Sequence, residues 1–423
     1  MTRAAAVNML NRIRGGLVAF VIIGQVSPVQ AVDLTWSGFG TLGYAQSDQP
    51  VNYQRFIDEK GTFKRDSIIG AQVDARFSQQ WGATVQAKAA PSDHSDSQWQ
   101  ASLAWAFVSW RPSDDWLVRA GKIRLPFMLN TENADVGATY DFARLPLEVY
   151  SITPTTDIVG LSVSKTWFGE TFDWVAEAYA GKASTYWRYY GRNRTIDHPN
   201  EIGSWFLPID MKSAGAVLTA RSLEHTFRIG YHEARASRPG ERTALGFDYV
   251  SPPGFYRPST DTTDSVRVPV LTLGVSISLP ESFKLTAEFG KAKVDSASRG
   301  LSRSGGYVAL TKKIGAWTPY VYYAKVKSTD EALGIYQQIN GNANRFSGAT
   351  ANGQRVLADI VAPYDQSTIA VGTSFWLNTK SLIKAEVSRV DTQIVSSFVD
   401  APPNSESGNR HINVFSVSYN FTF

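Results

Sequence analysis

The sequence contains no cysteine, and charged residues make up only 19% of its 423 residues. Without cysteine the chain can form no disulfide, no zinc-thiolate centre and no thiol nucleophile. It also lacks, after residue 31, any uninterrupted apolar run of the length that a membrane-spanning helix needs. These absences exclude a disulfide scaffold and a helical membrane bundle.

A strong charge of one sign is also missing. The formal net charge is +4, but the first 31 residues hold three arginines and no acidic residue. The remaining chain carries 39 basic and 38 acidic residues, which makes it nearly neutral. This balance excludes the global positive field expected of a general nucleic-acid binder.

Residues 1–31 have the pattern of a secretory signal peptide. A basic stretch ends at Arg14, an apolar run extends from Leu17 to Val26, and a small-residue ending leads to Ala31. The apolar run is about half the length of a spanning helix. The sequence therefore predicts a cleaved signal over 1–31 and one mature domain over 32–423, in a Gram-negative periplasm or outer membrane.

The mature chain shows a repeated period of two. In Asn413–Phe423, aromatic and apolar residues at odd positions alternate with Ser416, Ser418, Asn420 and Thr422 up to the last residue. This alternation predicts strands with one oily and one wet face. Similar runs cover Ile69–Phe77, Ala83–Ala89, Phe172–Ala180, Pro269–Leu279 and Phe283–Phe289.

The segments between these runs are alternately short and long. Short turns of a few residues alternate with long loops, including those predicted over Lys182–Asp210 and Ser328–Tyr364. Short turns at one end and long loops at the other are typical of outer-membrane barrels. The sequence therefore predicts an all-β fold, a sixteen-stranded antiparallel transmembrane β-barrel with a water-filled lumen.

The alternation also assigns charged residues to the lumen wall, where they would tune the selectivity of a pore. The bases outnumber the acids, which predicts a weak anion preference. The alternative is that these charges pair across adjacent strands and set no selectivity. The predicted wall residues are Arg76, Lys88, Arg119, Arg228, Lys284, Lys325, Lys327 and Lys384 against Asp74, Asp173, Glu177, Glu288 and Glu386.

The segment Trp116–Tyr150, WLVRAGKIRLPFMLNTENADVGATYDFARLPLEVY, resembles Gram-negative porins, most closely the superfamily containing the phosphate-selective porins. The resemblance implies a homotrimer and a third long loop, residues 124–157, that folds into the barrel and narrows it. Acids outnumber bases in this loop, unlike the lysine-rich phosphate ladder of that superfamily. The implied constriction residues are Arg124, Glu132, Asp135, Asp141, Arg144 and Glu148.

Two further motifs have competing interpretations. Gly38–Gly43 fits G-x-G-x-x-G but lies within a strand, so we interpret it as a flat strip for a subunit contact rather than a nucleotide site. A second cluster in the fourth long loop either packs internally, binds lipopolysaccharide phosphates or captures a solute. Its members are Trp187, Arg188, Tyr189, Tyr190, Arg192, Arg194 and His198.

The sequence thus predicts a porin that passively admits small hydrophilic solutes and ions across the outer membrane, in contact with outer-membrane lipid and lipopolysaccharide. We expect no enzymatic activity, no cofactor and no metal, since the five histidines lack metal-ligand spacing. The alternatives are a barrel with an occluded lumen that serves as an adhesin or structural protein and, less favoured, a barrel hydrolase.

Overall fold

The computed structural model describes residues 32–153, 155–194, 202–295 and 301–423. The predicted signal peptide and His198 lie outside the described residues. Within them, sixteen antiparallel strands form one closed barrel, each strand bonded to its neighbours in sequence. The strands are β1 Asp33–Ser47, β2 Ile68–Arg76, β3 Trp81–Pro91, β4 Trp99–Trp110, β5 Trp116–Arg124, β6 Asp157–Trp167, β7 Asp173–Gly191, β8 Gly203–Arg221, β9 His225–Ser237, β10 Val266–Leu279, β11 Phe283–Ala292, β12 Arg303–Lys312, β13 Trp317–Ser328, β14 Tyr364–Asn378, β15 Ser381–Ser396 and β16 Arg410–Thr422.

The barrel closes where the last strand meets the first. β16 pairs with β1 in antiparallel register, with Ser418 opposite Gly43. The final residue completes the seam, since Gly38 N donates to Phe423 O and Phe423 N donates to Gly38 O, both at 3.0 Å. Closure removes the free sheet edges that would otherwise expose unpaired amides. The predicted barrel class and strand number are confirmed.

The two faces of the barrel follow the alternation in the sequence. On β16 and the residue that follows it, the outward side chains of Phe415, Tyr419 and Phe423 are 47%, 40% and 61% exposed, whereas Ser418 and Asn420 are buried inside. An apolar outer surface of this extent suits contact with acyl chains rather than water. Exposed tryptophans ring the end of the short turns, at Trp81, Trp110, Trp116, Trp167, Trp174 and Trp317.

The connections also alternate as predicted, but two long ones contain more regular structure than expected. β7 and β8 continue as a paired hairpin to Gly191 and Gly203, so much of the predicted loop Lys182–Asp210 is strand. The connection from β13 to β14 holds two helices, α2 Asp330–Asn342 and α3 Gly348–Val361. No helix among the described residues is long and apolar enough to cross a membrane.

Helix α2 begins at an N-cap, Thr329, whose hydroxyl accepts a hydrogen bond from Ala332 N at 3.4 Å. Its apolar side packs against α3 through Leu333, Ile339 and Val361, which are buried.

Smaller elements complete the loops. They are the 3-10 helices Gly137–Thr139, Pro280–Ser282 and Ala343–Arg345, the short helix α1 Leu147–Tyr150, and the paired segments Thr243–Ala244 with Thr262–Thr263 and Phe247–Val250 with Phe255–Pro258.

One buried arginine ties three of the long loops together. Arg192 follows β7 and is 2% exposed. Its guanidinium contacts Asp359 of α3 at 3.1 Å, Asn340 of α2 at 2.5 Å and Glu406 of the last long loop at 2.8 Å. Arg188 likewise pairs with Asp96 and Asp400, at 2.8 and 2.6 Å. Arg188 and Arg192 of the predicted aromatic and basic cluster therefore join loops to one another.

The predicted glycine strip is not an open flat surface. The outward positions of Gly38 and Gly40 are covered by the aromatic rings of Phe423 and Phe421, and a side chain at either glycine would overlap a ring. The glycines let the terminal aromatics lie flat across the seam of the barrel. The prediction that this strip accepts another subunit's backbone is therefore wrong for these two glycines.

A charged residue at the middle of the outward face should destabilise the barrel. Leu273 lies outward on β10 and is 40% exposed. We expect Leu273→Arg to lower the free energy of unfolding by about 2–4 kcal/mol, since arginine would face hydrocarbon. Urea unfolding of the protein in lipid vesicles measures this change in the free energy of unfolding.

The matched control is Ser276→Arg, on the same strand but lining an inner cavity. It should change the free energy of unfolding by no more than about 1 kcal/mol, because the added guanidinium stays in water. Equal destabilisation by the two variants would contradict the assigned orientation of β10.

Candidate functional site

The loop 125–156 between β5 and β6 is here called the constriction loop, and its described residues, 125–153 and 155–156, lie inside the barrel. Its apolar side chains drive it there: Phe127 and Met128 are each 1% exposed and Val149 is fully buried. They pack against inward residues of the barrel wall, including Tyr307 and Val270, in one apolar cluster. Removing these side chains from water stabilises each by about 1.5–3 kcal/mol, which favours the inward path of the loop.

The constriction loop separates two cavities. The upper chamber, of about 600 Å³, opens toward the long loops and is lined by the loop together with the first and last long connections. The lower chamber, of about 470 Å³, lies toward the short turns. Tyr140 lines both chambers and so marks the narrow region between them.

An acidic residue at the start of the constriction loop is held by two bases of the wall. Asp135 pairs with Lys88 on β3 at 2.8 Å and also with Arg124 at the end of β5. Arg124 is 4% exposed and donates to Thr131 O at 3.2 Å. These predicted residues therefore meet one another, and they fasten the loop to the wall.

A second contact joins the same part of the loop to neighbouring strands. Arg119 on β5 pairs with Glu132 of the loop at 3.3 Å and with Glu177 on β7 at 2.7 Å. Arg228 on β9 donates to Met128 O of the loop at 2.9 Å. The wall charges thus bind the constriction loop as well as other strands.

The middle of the loop is fixed by a bidentate ion pair. Arg144 donates to both carboxylate oxygens of Asp66, at 2.9 and 2.5 Å, and to Ser416 on β16 at 3.2 Å. Burial alone would raise the pKa of Asp66, but the guanidinium of Arg144 outweighs it and holds that pKa below its ordinary value. Because the pKa is lowered, the pair stabilises the loop at neutral pH and is lost only in strong acid.

Two buried carboxylates join the constriction loop to the opposite wall. Glu148 of the loop accepts from Gln366 at 2.8 Å and from Thr368 on β14. Glu288 on β11 accepts from Leu129 N and Tyr150 of the loop, both at 2.7 Å. Because each buried carboxylate accepts hydrogen bonds across the contact between loop and wall, these bonds fix the position of the loop across the lumen.

The wall opposite provides the last anchors. Lys384 on β15 is 1% exposed and donates to the carbonyls of Gly137 and Phe142 at 2.6 and 2.7 Å. Ser374 on β14 donates to Asp141 at 3.1 Å. Glu386, beside Lys384, accepts from the hydroxyl of Tyr320 at 2.8 Å.

Four other predicted wall residues, Arg76, Lys284, Lys325 and Lys327, do not hold the constriction loop. Arg76 is exposed on β2, and Lys284 lines the lower chamber; neither forms an ion pair within the described residues. The prediction is wrong for Lys325 and Lys327, which share the outward face of β13 with the exposed Val321 and Tyr323.

The misassignment has a physical cause. β13 carries tyrosines on both faces, so the hydrophobic pattern alone could not separate lumen from lipid. The hydroxyls of Tyr320 and Tyr322 bind the buried Glu386 at 2.8 and 3.3 Å, which fixes these two rings inward. Lys325 is an odd number of residues from both tyrosines and therefore points outward.

The upper chamber has residues that the sequence did not single out. Arg55 and Arg65 come from the first long loop, where no periodic pattern marks the direction of a side chain. With Lys88, Arg144 and Arg188 they make five bases lining the chamber, against Asp66 and Asp135. Asp96 and Asp400, which pair with Arg188, reduce the positive excess to one charge.

The lower chamber is balanced by contrast. It is lined by Arg221, Arg228 and Lys284 and by Glu132, Asp141 and Glu177. The described residues contain no group of His, Asp and Glu that could hold a metal ion. The two chambers thus provide polar space with fixed charges, and the net positive charge lies in the upper chamber, on the long-loop side of the constriction loop.

No protein-family model matches the sequence, and no curated protein matches it. Solved structures do match. The OmpT outer-membrane protein of Vibrio cholerae, in its trimer form, is 11% identical and covers 93% of this chain and all of its own, with a TM-score of 0.52. The chain has a porin-like fold.

Two further structures agree. The anion-selective porin from Comamonas acidovorans is 10% identical, covers 93% of this chain and 100% of its own, and has a TM-score of 0.51. The outer-membrane channel DcaP of Acinetobacter baumannii is 11% identical, covers 95% of this chain and 100% of its own, and has a TM-score of 0.52. At these identities the likeness establishes the porin-like fold and nothing finer.

Breaking the central ion pair should loosen the constriction loop. Arg144→Gln removes the bidentate partner of the buried Asp66 and leaves it only the longer contact with Arg65, at 3.9 Å. Breaking a buried ion pair costs up to about 3–5 kcal/mol. We expect a larger and noisier single-channel current, measured in planar bilayers, because the loop then samples positions nearer the wall.

Arg111→Gln is the control, since Arg111 is exposed in a short turn away from the loop. It should leave current amplitude and noise unchanged. An Arg144→Gln channel with a wild-type current would contradict the anchoring role of this pair.

Proposed function

We propose that this protein is an outer-membrane porin that lets small hydrophilic solutes and ions diffuse through its lumen, with a weak preference for anions. The single observation that carries the proposal is a closed barrel with an apolar outer face and two polar inner chambers on either side of an inserted loop. The long loops then face the cell exterior and the short turns the periplasm. Small solutes and ions are the class that such chambers admit.

The anion preference follows from the chambers. The upper chamber carries a positive excess and the lower chamber none, so an anion meets a favourable field before the narrow region. Five wall charges, Lys88, Arg119, Arg228, Glu288 and Lys384, bind the constriction loop, which explains why the preference is weak. The resemblance to phosphate-selective porins supports an anion pathway, but no lysine-rich ladder lines these chambers.

We also propose a homotrimer. Outward positions of β2, β3 and β4 carry small uncharged side chains along much of their length, including Ala71, Ala83, Ala87 and Ala101. A flat neutral sector of this kind lets another barrel approach closely. The same membrane placement puts the rest of the outer surface against lipid and lipopolysaccharide.

Conductance tests the proposal directly. In planar bilayers the purified protein should give stable open steps, and a potassium chloride gradient should give a reversal potential on the anion side. Arg65→Gln should lower the chloride-to-potassium permeability ratio roughly twofold, because Arg65 lines the upper chamber.

Arg257→Gln is the matched control, since Arg257 is an exposed long-loop arginine. It should leave the permeability ratio unchanged. Folded protein that gives no open steps would instead support the occluded barrel, in which the loops act as an adhesive or structural surface. A ratio unaffected by Arg65→Gln would contradict the role assigned to the upper chamber.

A further inference from the structure

The outward face of the barrel carries a row of four basic residues on four adjacent strands. The register places Lys182 of β7 opposite Lys212 of β8, Lys212 opposite Arg235 of β9, and Arg235 opposite Arg267 of β10. All four are exposed. Strands lie about 4.8 Å apart, so the row extends about 14 Å across the surface.

Such a row is unfavourable without a counter-charge. Like charges directly opposite one another on neighbouring strands destabilise a sheet. Glu233 and Asp295 pair with Arg267 at 2.6 and 3.0 Å, and Glu233 lies 3.7 Å from Arg235. Lys182 and Lys212, at the β7 and β8 end of the row, form no ion pair within the described residues.

One neighbouring carboxylate offsets part of this end. Asp210 lies two residues from Lys212 on the same face and accepts a hydrogen bond from Ser184 at 2.7 Å, so its single charge balances only one of the two lysines. Lys293 adds another exposed base beside the row, next to Pro269 on β10. The patch therefore keeps a positive excess of two, with five bases against Asp210, Glu233 and Asp295.

The height of the row identifies what it faces. Trp174 belongs to the tryptophan ring near the short turns, and eight residues separate it from Lys182. Eight residues cover about 27 Å along a strand, or roughly 20 Å along the barrel axis at the usual tilt. Since the apolar band of such barrels is roughly 25 Å tall, the row lies at its long-loop boundary.

The residues below the row support this position. Outward positions between Trp174 and Lys182 are Ala176, Ala178 and Ala180, and those below Arg267 on β10 are apolar. Lipid head groups therefore lie level with the row, where anions are available and water is limited. Lysine and arginine are the residues that bind phosphate oxygens.

We propose that the row Lys182, Lys212, Arg235 and Arg267 binds phosphate groups of the phosphorylated glycolipid of the outer leaflet, lipopolysaccharide. The proposal rests on the proposed function for the membrane that it assumes. It assigns the lipid contact to one sector of the barrel, away from the neutral strands β2–β4. Several phosphates on one head group match a linear row of bases better than a single small anion does.

The experiment measures binding of purified lipopolysaccharide to the detergent-solubilised full-length protein by calorimetry, with conductance recorded on the same samples. The double variant Lys182→Gln, Lys212→Gln should weaken binding at least tenfold and flatten its dependence on salt. Lys60→Gln, Lys380→Gln removes the same charge from an exposed long loop and a short turn. This control should bind as the wild type does.

Two ligand arms identify the source of the phosphate. Dephosphorylated lipopolysaccharide should bind the wild type at least tenfold more weakly, and millimolar inorganic phosphate should not displace the intact lipid. Equal binding by wild type and double variant, or equal binding of the two lipids, would overturn the proposal. Displacement by inorganic phosphate would also overturn it in favour of a free-anion site.

Conductance separates this inference from the proposed function. Because the row lies outside the lumen, the double variant should keep the wild-type open step and permeability ratio. A conducting protein without phosphate-dependent lipid binding would reject only the lipid site. Lipid binding that depends on the row in a protein that gives no open step would reject only the porin.

Discussion

The structure depends on the pairing of every strand amide around a closed sheet. In hydrocarbon an unpaired backbone N–H or C=O is too costly to leave, so a sheet can face acyl chains only when its first and last strands meet. Here the last residue of the chain completes the seam, and the rings of Phe421 and Phe423 cover the glycines of β1. The lumen and the lipid-facing apolar surface exist only because the sheet is closed.

Inside the barrel, many charged side chains hold the constriction loop in place and are therefore not free to interact with a solute. The constriction loop lies in the lumen because its apolar residues are buried there, but its backbone and charged side chains then need hydrogen-bond or ion-pair partners. The partners of Asp135 and Glu132 are on the barrel wall, and the partner of Arg144 is in the first long loop. Charges paired in this way contribute little net field, and the proposed anion preference therefore rests on the unbalanced positive charge around the upper chamber.

The outer surface of the barrel has two sectors that differ in their side chains. Small neutral side chains mark one sector, which allows close approach of protein, whereas a cross-strand row of bases marks another at the height of the head groups. Neither feature needs a special motif. Both arise because residues far apart in sequence lie side by side once the strand register is fixed.

The sequence by itself determined the barrel. A period of two with a fixed phase, interrupted by alternate short and long connections, is a local property. It was sufficient to predict the strand number and the faces of β16, whereas the inward loop was implied only by the resemblance to porins. Local patterns carried no information on which charges meet. Lys325 was placed on the wrong face because β13 is aromatic on both sides. Arg65 and Asp66 lie in a non-periodic loop, and the partners of Asp135 come from separate strands. Only the tertiary structure decided these contacts, because register and loop path are set by distant hydrogen bonds and burial that no single segment contains.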